Sequence, residues 1–116
     1  NTVNLTINMV EDLQGNFDEF KNFLLQECPE LETRMKELDG EVYTVEEDKK
    51  PEELKRPLKK LGNFLKSLGE GDSEYAPIIK KTENLLGKAK KLGKAYNEIT
   101  KLLPLGLPKV PEFLLE

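Results

Sequence analysis

At 116 residues the chain has the length of a single domain, large enough for a modest core of its own. It contains no Trp and few aromatic residues, so we expect a core built largely from Leu and Ile. Histidine is absent and Cys28 is the only cysteine, which excludes an internal disulfide, a Ser-His or Cys-His nucleophile and the usual zinc-ligand spacings.

Charge is distributed unevenly along the chain, whose formal net charge is −4. Residues 1–48 carry thirteen acidic and three basic side chains, a net charge of −10, whereas residues 49–116 carry nine acidic and fifteen basic side chains, a net charge of +6. The two halves can pack against each other within one chain, or subunits can associate head to tail through the same complementarity. A basic patch for nucleic acid or lipid is the third reading.

Residues 2–9 alternate between apolar and polar side chains, and this period of two predicts a β-strand. A single strand cannot satisfy its own backbone hydrogen bonds, so its pairing partner would lie upstream in a longer protein, in another subunit or in residues 42–45. We expect self-association through this strand, with pairing to residues 42–45 as the competing arrangement. The candidate interaction residues here are Val3, Leu5, Ile7 and Met9.

Two helices are predicted next. The first is marked by apolar residues at helical spacing, and it should start near Asn16, because Gly15 weakens the preceding turn. It should end near Cys28, since Pro29 disfavours helical geometry in the residue before it. A second, short helix closes at Asp39 and Gly40, unless the two pieces form one helix kinked at Pro29. The apolar positions are Leu13, Phe17, Phe20, Leu24, Leu31, Met35 and Leu38.

A helical hairpin over residues 53–103 is the strongest pattern in the sequence. Two apolar seams with spacings of four and three are separated by the short turn 69–72, which predicts an antiparallel return. The second helix should be capped at Asp72 and Ser73 and extend to Leu103. Pro57 either kinks the first helix or lies in its first turn. The seams are Leu54, Leu58, Leu61, Leu65 and Leu68, then Ile78, Thr82, Leu85, Ala89, Leu92, Tyr96, Ile99 and Leu103.

Pro104 should end the last helix, and an apolar segment punctuated by proline follows it. Such a segment is extended and stiff, so it loses little entropy on docking. It can fold back and cover the end of the bundle, or it can fill a groove on a neighbouring molecule. The candidate interaction residues in this tail are Leu107, Val110, Phe113 and Leu114.

Patterns that would support catalysis are missing from the sequence. Acidic pairs lack the apolar neighbours that shift a pKa, and neither Ser67 nor Ser73 has a base nearby in sequence to activate it. We therefore expect no enzymatic activity, cofactor or metal site. Residues 80–101 form a basic amphipathic stretch of net charge +5, which could meet an anionic membrane or phosphates. The absence of arginine and of interleaved aromatic residues in that stretch argues against nucleic acid.

The two ends of the chain resemble a known type of module. Residues 4–7 continue an Asn- and Thr-rich alternating start, and the closing pattern comprises residues 96–99, 102–103 and 107–114. These features resemble the helical C-terminal modules of bacterial multidomain signalling or conflict proteins, in which the module follows a catalytic or receptor domain. The resemblance implies a non-catalytic association or regulatory module. Residues 27–50 have no counterpart in that pattern.

The sequence thus predicts an all-α bundle of three to four helices with a long C-terminal antiparallel hairpin and a short N-terminal strand. We divide it into a strand or connection (1–10), a helical bundle (11–103) and a Pro-rich apolar tail (104–116). Because the chain starts with Asn1 rather than Met, we interpret it as a processed chain or as a piece of a longer protein, and we favour the piece. The predicted core residues are Phe17, Phe20, Leu24, Leu31, Met35, Leu58, Leu61, Leu65, Leu85, Leu92 and Ile99.

For function, we expect a cytoplasmic interaction, oligomerisation or regulatory module of a larger bacterial protein. Its partner would be a protein, either a second copy or a parent or partner chain, rather than a small-molecule substrate or nucleic acid. The alternative is a membrane-active or lipid-binding protein that uses the basic amphipathic helix.

Overall fold

The computed structural model describes residues 5–116, and every regular element in that part of the chain is helical. The all-α prediction is therefore confirmed. Short 3-10 turns lie at Pro29–Leu31 and Glu112–Leu114. The α-helices are α1 (Ile7–Glu27), α2 (Glu32–Val42), α3 (Pro51–Ser67), α4 (Ala76–Ile79) and α5 (Glu83–Thr100).

The predicted N-terminal strand is wrong for residues 7–9, which form the first turn of α1. Residues 2–4 of that prediction lie outside the described part of the chain. Thr6 is extended, and its hydroxyl accepts a hydrogen bond from the backbone N–H of Met9 at 3.1 Å, so it caps the helix. This cap and one continuous apolar stripe outweigh the local alternation. The buried stripe is Val10, Leu13, Phe17, Phe20 and Leu24.

Helix α1 also begins earlier than predicted, at Ile7 rather than near Asn16. Gly15 lies on the exposed face of the helix, so its missing side chain removes no packing. Its low helix propensity costs up to about 1 kcal/mol of stability. The buried stripe on the opposite face extends through that position, so the helix continues past it.

The end of α1 agrees with the prediction. Cys28 leaves helical geometry (φ −138°, ψ 77°) immediately before Pro29, and its thiol is buried and unpaired. Helix α2 then packs antiparallel to α1: Lys21 Nζ lies 3.0 Å from a carboxylate oxygen of Asp39. Gly40 does not end α2, which continues to Val42.

Helix α3 runs without interruption through Pro57, which is buried. The proline therefore removes one backbone hydrogen bond inside the helix, and Pro51 remains its first residue. A side-chain oxygen of Glu53 accepts a hydrogen bond from the backbone N–H of Lys50 at 3.1 Å, which satisfies a free donor at the helix start. All five leucines of the first predicted seam are buried.

The predicted hairpin over residues 53–103 is wrong in its pairing. Helix α5 packs mainly on α1, and α3 packs mainly on α2. Lys88 of α5 lies 3.0 Å from Glu19 of α1, and Ala95 and Glu98 line one pocket with Met9 near the start of α1, so the two helices are antiparallel. The apolar seam specifies that α5 needs a partner surface but not which one, and the connection 68–82 is long enough to reach α1.

The start of α5 explains that longer connection. Thr82 has extended geometry, and its hydroxyl accepts from the N–H of Leu85 at 3.0 Å, so it caps α5 rather than forming part of the seam. The expected cap residue Ser73 instead accepts from the N–H of Tyr75 at 3.0 Å, before the short α4. The remaining seam residues from Leu85 to Leu103 are buried as predicted.

The core joins all the longer helices. All eleven predicted core residues are buried. Phe64 of α3 contacts Phe20 of α1 edge to face, with ring centroids 5.9 Å apart, and it contacts Tyr75 at 5.1 Å. Two ion pairs also connect the acidic and basic halves: Glu19 with Lys88, and Glu41 with Arg56 at 3.4 Å. None of the helices between residues 5 and 116 is long and apolar enough to cross a bilayer.

Candidate functional site

The tail (residues 104–116) folds back on the bundle and lies in a furrow between α3 and α5. We define the furrow by Gly62 of α3, Gly69 just beyond it, and Gly93 and Tyr96 of α5. The tail residues that approach these glycines are Pro108, Pro111, Phe113, Val110 and Leu114.

The three glycines allow the tail to approach closely. A Cβ placed on Gly93 would lie 3.2 Å from Cγ1 of Val110 and 3.3 Å from Cβ of Leu114. A Cβ on Gly69 would lie 3.0 Å from Cγ of Pro111. All three distances are tighter than ordinary van der Waals contact, so the absence of a side chain at these positions creates the furrow.

Tyr96 joins the furrow to the tail by a hydrogen bond. Its hydroxyl donates to the carbonyl oxygen of Pro108 at 2.8 Å, directly above Gly62. Burial raises the pKa of Tyr96, so the phenol stays protonated and continues to donate far above neutral pH. A buried hydroxyl with its partner in place adds orientation to an otherwise apolar contact.

The tail backbone is partly extended, and its one hydrogen bond from a helix within residues 5–116 is the one that Tyr96 donates. Pro111 has φ −55° and ψ 141°, which is polyproline II geometry, and Gly106 has φ +63°. The backbone hydrogen bonds of the tail are local, between Leu105 and Leu103 and within the final 3-10 turn. Lys80 Nζ lies 5.4 Å from the ring centroid of Phe113.

The structure therefore places the tail candidates in contacts within the chain. Val110 and Leu114 are buried, and Leu107 and Phe113 are half-buried against the core. Of the two arrangements left open by the sequence, the fold-back is the one observed. Docking into a neighbouring molecule remains a hypothesis.

The N-terminal candidates do not form one apolar face. Val3 lies outside the described residues, Leu5 is buried and Met9 is half-buried against the core. Ile7 is 57% exposed. Helical spacing separates these side chains, because only a strand directs alternate residues to the same side.

A charged groove lies between α2 and α3 on another side of the bundle. It encloses about 870 Å³, and Leu38, which is buried, is the one apolar residue among those that line it. Its lining residues are Arg34, Glu37, Leu38 and Glu41 from α2, and Glu52, Lys55, Arg56, Lys59, Lys60 and Asn63 from α3.

Most of the cations in the α2/α3 groove have no salt bridge. Arg56 pairs with Glu41, but Lys55, Lys59 and Lys60 make no salt bridge to any residue between 5 and 116. Arg34 likewise makes no salt bridge within that range, although it lies beside Tyr75. Burial, together with Glu74, raises the pKa of the Tyr75 hydroxyl, and Arg34 partly opposes this shift.

The sequence analysis missed this groove although its signal is present. Lys55 and Lys59 are four residues apart, as are Arg56 and Lys60, and this spacing places each pair on one helix face. The facing wall could not be predicted, because it depends on the antiparallel packing of α2 on α3.

The basic side of α5 is a third candidate surface. Lys91 and Lys94 are exposed and Lys90 is half-buried, and none of them forms a salt bridge with another described residue. Lys88 differs, because it lies over the Phe23 ring and pairs with Glu19, whose pKa it lowers. The apolar stripe of α5 is buried in the core, so this surface offers charge alone.

Comparison with protein-family models, with curated proteins and with solved structures finds no match. Within residues 5–116, no three acidic or thiol side chains converge as a metal site would need. The candidate sites therefore rest on the geometry of the surfaces described above.

Proposed function

We propose that the chain is a non-catalytic helical module through which a larger protein associates with another protein, and that the α2/α3 groove is its docking surface. One observation carries this proposal: a groove lined mainly by charged side chains, in which most of the cations make no salt bridge within residues 5–116. Such charges favour specific protein association, because they select and orient the partner.

Charge complementarity suggests a second copy of the chain as the occupant. The ten groove-lining residues include five basic and three acidic side chains, a net charge of +2. Because the whole chain has a net charge of −4, the residues outside the groove have a net charge of −6. Exposed carboxylates at the α1–α2 turn, on Glu27, Glu30 and Glu32, offer an acidic surface for the groove of a neighbour.

Sedimentation velocity at low and high salt tests this association. At about 0.01 M salt the screening length is about 30 Å, and at 1 M it is about 3 Å, so self-association should occur in the first condition and fade in the second. The double variant Lys59→Glu and Lys60→Glu should weaken self-association at least about tenfold, since it places like charges across the interface. Lys91→Glu and Lys94→Glu, on α5, provide the matched control.

Two results would count against the docking surface. One is a wild-type chain that stays monomeric at high micromolar concentration in low salt. The other is an association that the Lys59 and Lys60 reversals leave unchanged. If the α5 control variant alone abolished association, the interface would lie on α5.

The resemblance of both chain ends to helical C-terminal modules supports a second proposal, about the longer protein to which the chain belongs. We propose that the parent is a bacterial multidomain signalling or conflict protein acting in the cytoplasm, and that this module regulates or assembles it. Expressing the parent with the Lys59 and Lys60 reversals, and measuring its assembly state, tests that role.

Lipid binding is a second candidate, favoured by the exposed lysines on α5. With the apolar stripe of α5 buried, the folded chain should adsorb to anionic vesicles by charge and should not insert. Flotation with phosphatidylserine vesicles should then show salt-sensitive binding without release of an entrapped dye. Loss of flotation in the Lys91 and Lys94 double variant would assign the contact to α5, and no flotation at low salt would remove this candidate.

A further inference from the structure

We propose that the furrow between α3 and α5 is a binding site for an extended, proline-containing apolar segment, and that the tail of a second copy can replace the chain's own tail. The inference rests on the tail contacts alone. It holds whether or not the α2/α3 groove binds a partner.

The contacts match the way in which polyproline II segments are recognised. Pro108 and Pro111 are three residues apart, which is one turn of that helix, and each meets a glycine of the furrow, while Leu114 in the final 3-10 turn meets Gly93. Tyr96 donates to the Pro108 carbonyl, as aromatic side chains lining grooves for PxxP segments do. The furrow therefore favours a segment whose prolines meet its glycines and whose backbone carbonyl lies where the Tyr96 hydroxyl can donate to it.

The tail can detach as a unit. Among the described residues, the Tyr96 hydroxyl makes the only hydrogen bond from a helix to residues 105–116. All other attachment is side-chain packing and the Lys80–Phe113 contact. Release of the tail therefore breaks no helix and no ladder of backbone bonds, and the same contacts can form with a tail supplied by another molecule.

The connection between α5 and the tail determines whether the chain's own tail or the tail of a second copy occupies the furrow. A tethered tail competes with an effective concentration in the millimolar range, so the wild-type chain should be closed on itself at micromolar concentration. Gly106 in this connection has φ +63°, and a Cβ placed there would meet no atom within 4 Å. A substitution at Gly106 therefore strains the tether without blocking the furrow.

Gly106→Val is the test variant and Gly106→Asn its matched control. Valine disfavours positive φ, whereas asparagine tolerates it, so only the valine variant should loosen closure, by about tenfold. At about 1 M salt, where the ionic groove contact is screened, the valine variant should form more dimer than the wild type and the control. It should also bind a fluorescein-labelled peptide of residues 104–116 at least about tenfold tighter.

A second variant weakens the packing of the tail in the furrow directly, so the test does not depend on Gly106 alone. Val110→Ala with Leu114→Ala, in the full chain, removes tail contacts with the furrow, so the wild-type peptide should bind this variant in trans. A peptide with Pro108 and Pro111 replaced by alanine is the control ligand and should bind at least about tenfold more weakly. If neither variant binds the wild-type peptide while helical circular dichroism is preserved, the exchange proposal is wrong. Because its contacts are apolar, this binding should survive salt that abolishes the groove association, so the two proposals fail separately.

Discussion

At the scale of single residues, the glycines divide into two groups with different roles. Gly62, Gly69 and Gly93 face the tail, where a Cβ would meet neighbouring atoms within 3.4 Å. A Cβ placed on Gly15 or Gly87 would have no atom within 4 Å, so alanine fits at both positions. The sequence alone cannot separate the two groups, because the difference depends on where the tail docks.

Gly62→Ala should destabilise the protein by about 1–3 kcal/mol. The new methyl group would overlap the Tyr96 hydroxyl and lie 2.8 Å from its ring carbon Cζ, in a buried site with little room for adjustment. Gly15→Ala is the control and should be neutral or stabilise α1 by up to about 1 kcal/mol. Urea melts of both variants measure this, and equal effects of the two changes would show that the Tyr96 hydroxyl does not lie against Gly62.

Tyr96→Phe should lower stability by about 1 kcal/mol, because it removes the hydrogen bond to the Pro108 carbonyl. The ring packing is retained, so the loss should come from the tail contact. Limited proteolysis should consequently cleave the tail faster than in the wild type. Unchanged tail cleavage would contradict a role for this hydrogen bond in holding the tail.

Alkaline pH should destabilise the fold through its tyrosines. The hydrogen bond to Asp18, followed by burial, raises the pKa of Tyr43 to about 12, and burial also raises that of Tyr96. Above about pH 10 the unfolded tyrosines lose their protons while the folded ones keep them, so stability should fall as pH rises. Below about pH 10 this contribution of the tyrosines to stability is fully present. Urea melts at rising pH should show a shallower decline for Tyr96→Phe, and parallel declines would contradict the assignment.

At the scale of helices, periodicity predicts which residues are buried better than it predicts which helices pair. The seam from Leu85 to Leu103 is buried as expected, yet its partner is α1 rather than α3. Thr82 fits the seam by spacing, and its role as a cap is decided by its extended backbone. Sequence spacing contains no information about a contact across a connection as long as residues 68–82.

Leu92→Ala should cost about 2–5 kcal/mol, because Leu92 is completely buried on the stripe of α5 and truncation leaves a cavity. Leu102→Ala, at a site 44% exposed just beyond the same helix, should change stability by less than about 0.5 kcal/mol. Thermal melts of the pair provide the comparison. Similar melting temperatures for both variants would remove Leu92 from the core and contradict the packing of α5.

The beginning of α1 shows why local patterns mislead at helix ends. Residues 2–9 satisfy a strand pattern over a short window, while Thr6 and the stripe from Val10 onward satisfy a helix pattern over a longer one. The longer stripe buries more apolar surface, and tertiary burial outweighs local alternation. The strand prediction at residues 7–9 failed for that reason.

At the scale of the whole molecule, the charge asymmetry of the sequence is partly used inside the fold. Two ion pairs connect the acidic and basic halves, whereas four of the five groove cations make no salt bridge in residues 5–116. The asymmetry was visible in the sequence, but its concentration in one groove was not, because that requires α2 and α3 to be adjacent. Exposed ion pairs contribute little to stability, so the fold does not depend on pairing these charges, which leaves them available for the proposed association.

The proposed docking of a second copy of the chain in the α2/α3 groove is tested most directly by chemical shifts measured on dilution. In low salt, amide signals near Arg34, Lys59 and Lys60 should shift with protein concentration, and these shifts should disappear in high salt. Signals near Lys91 and Lys94 should not move. Concentration-independent shifts across the groove, or shifts confined to exposed apolar residues outside it such as Ile7 and Leu102, would contradict docking in the groove.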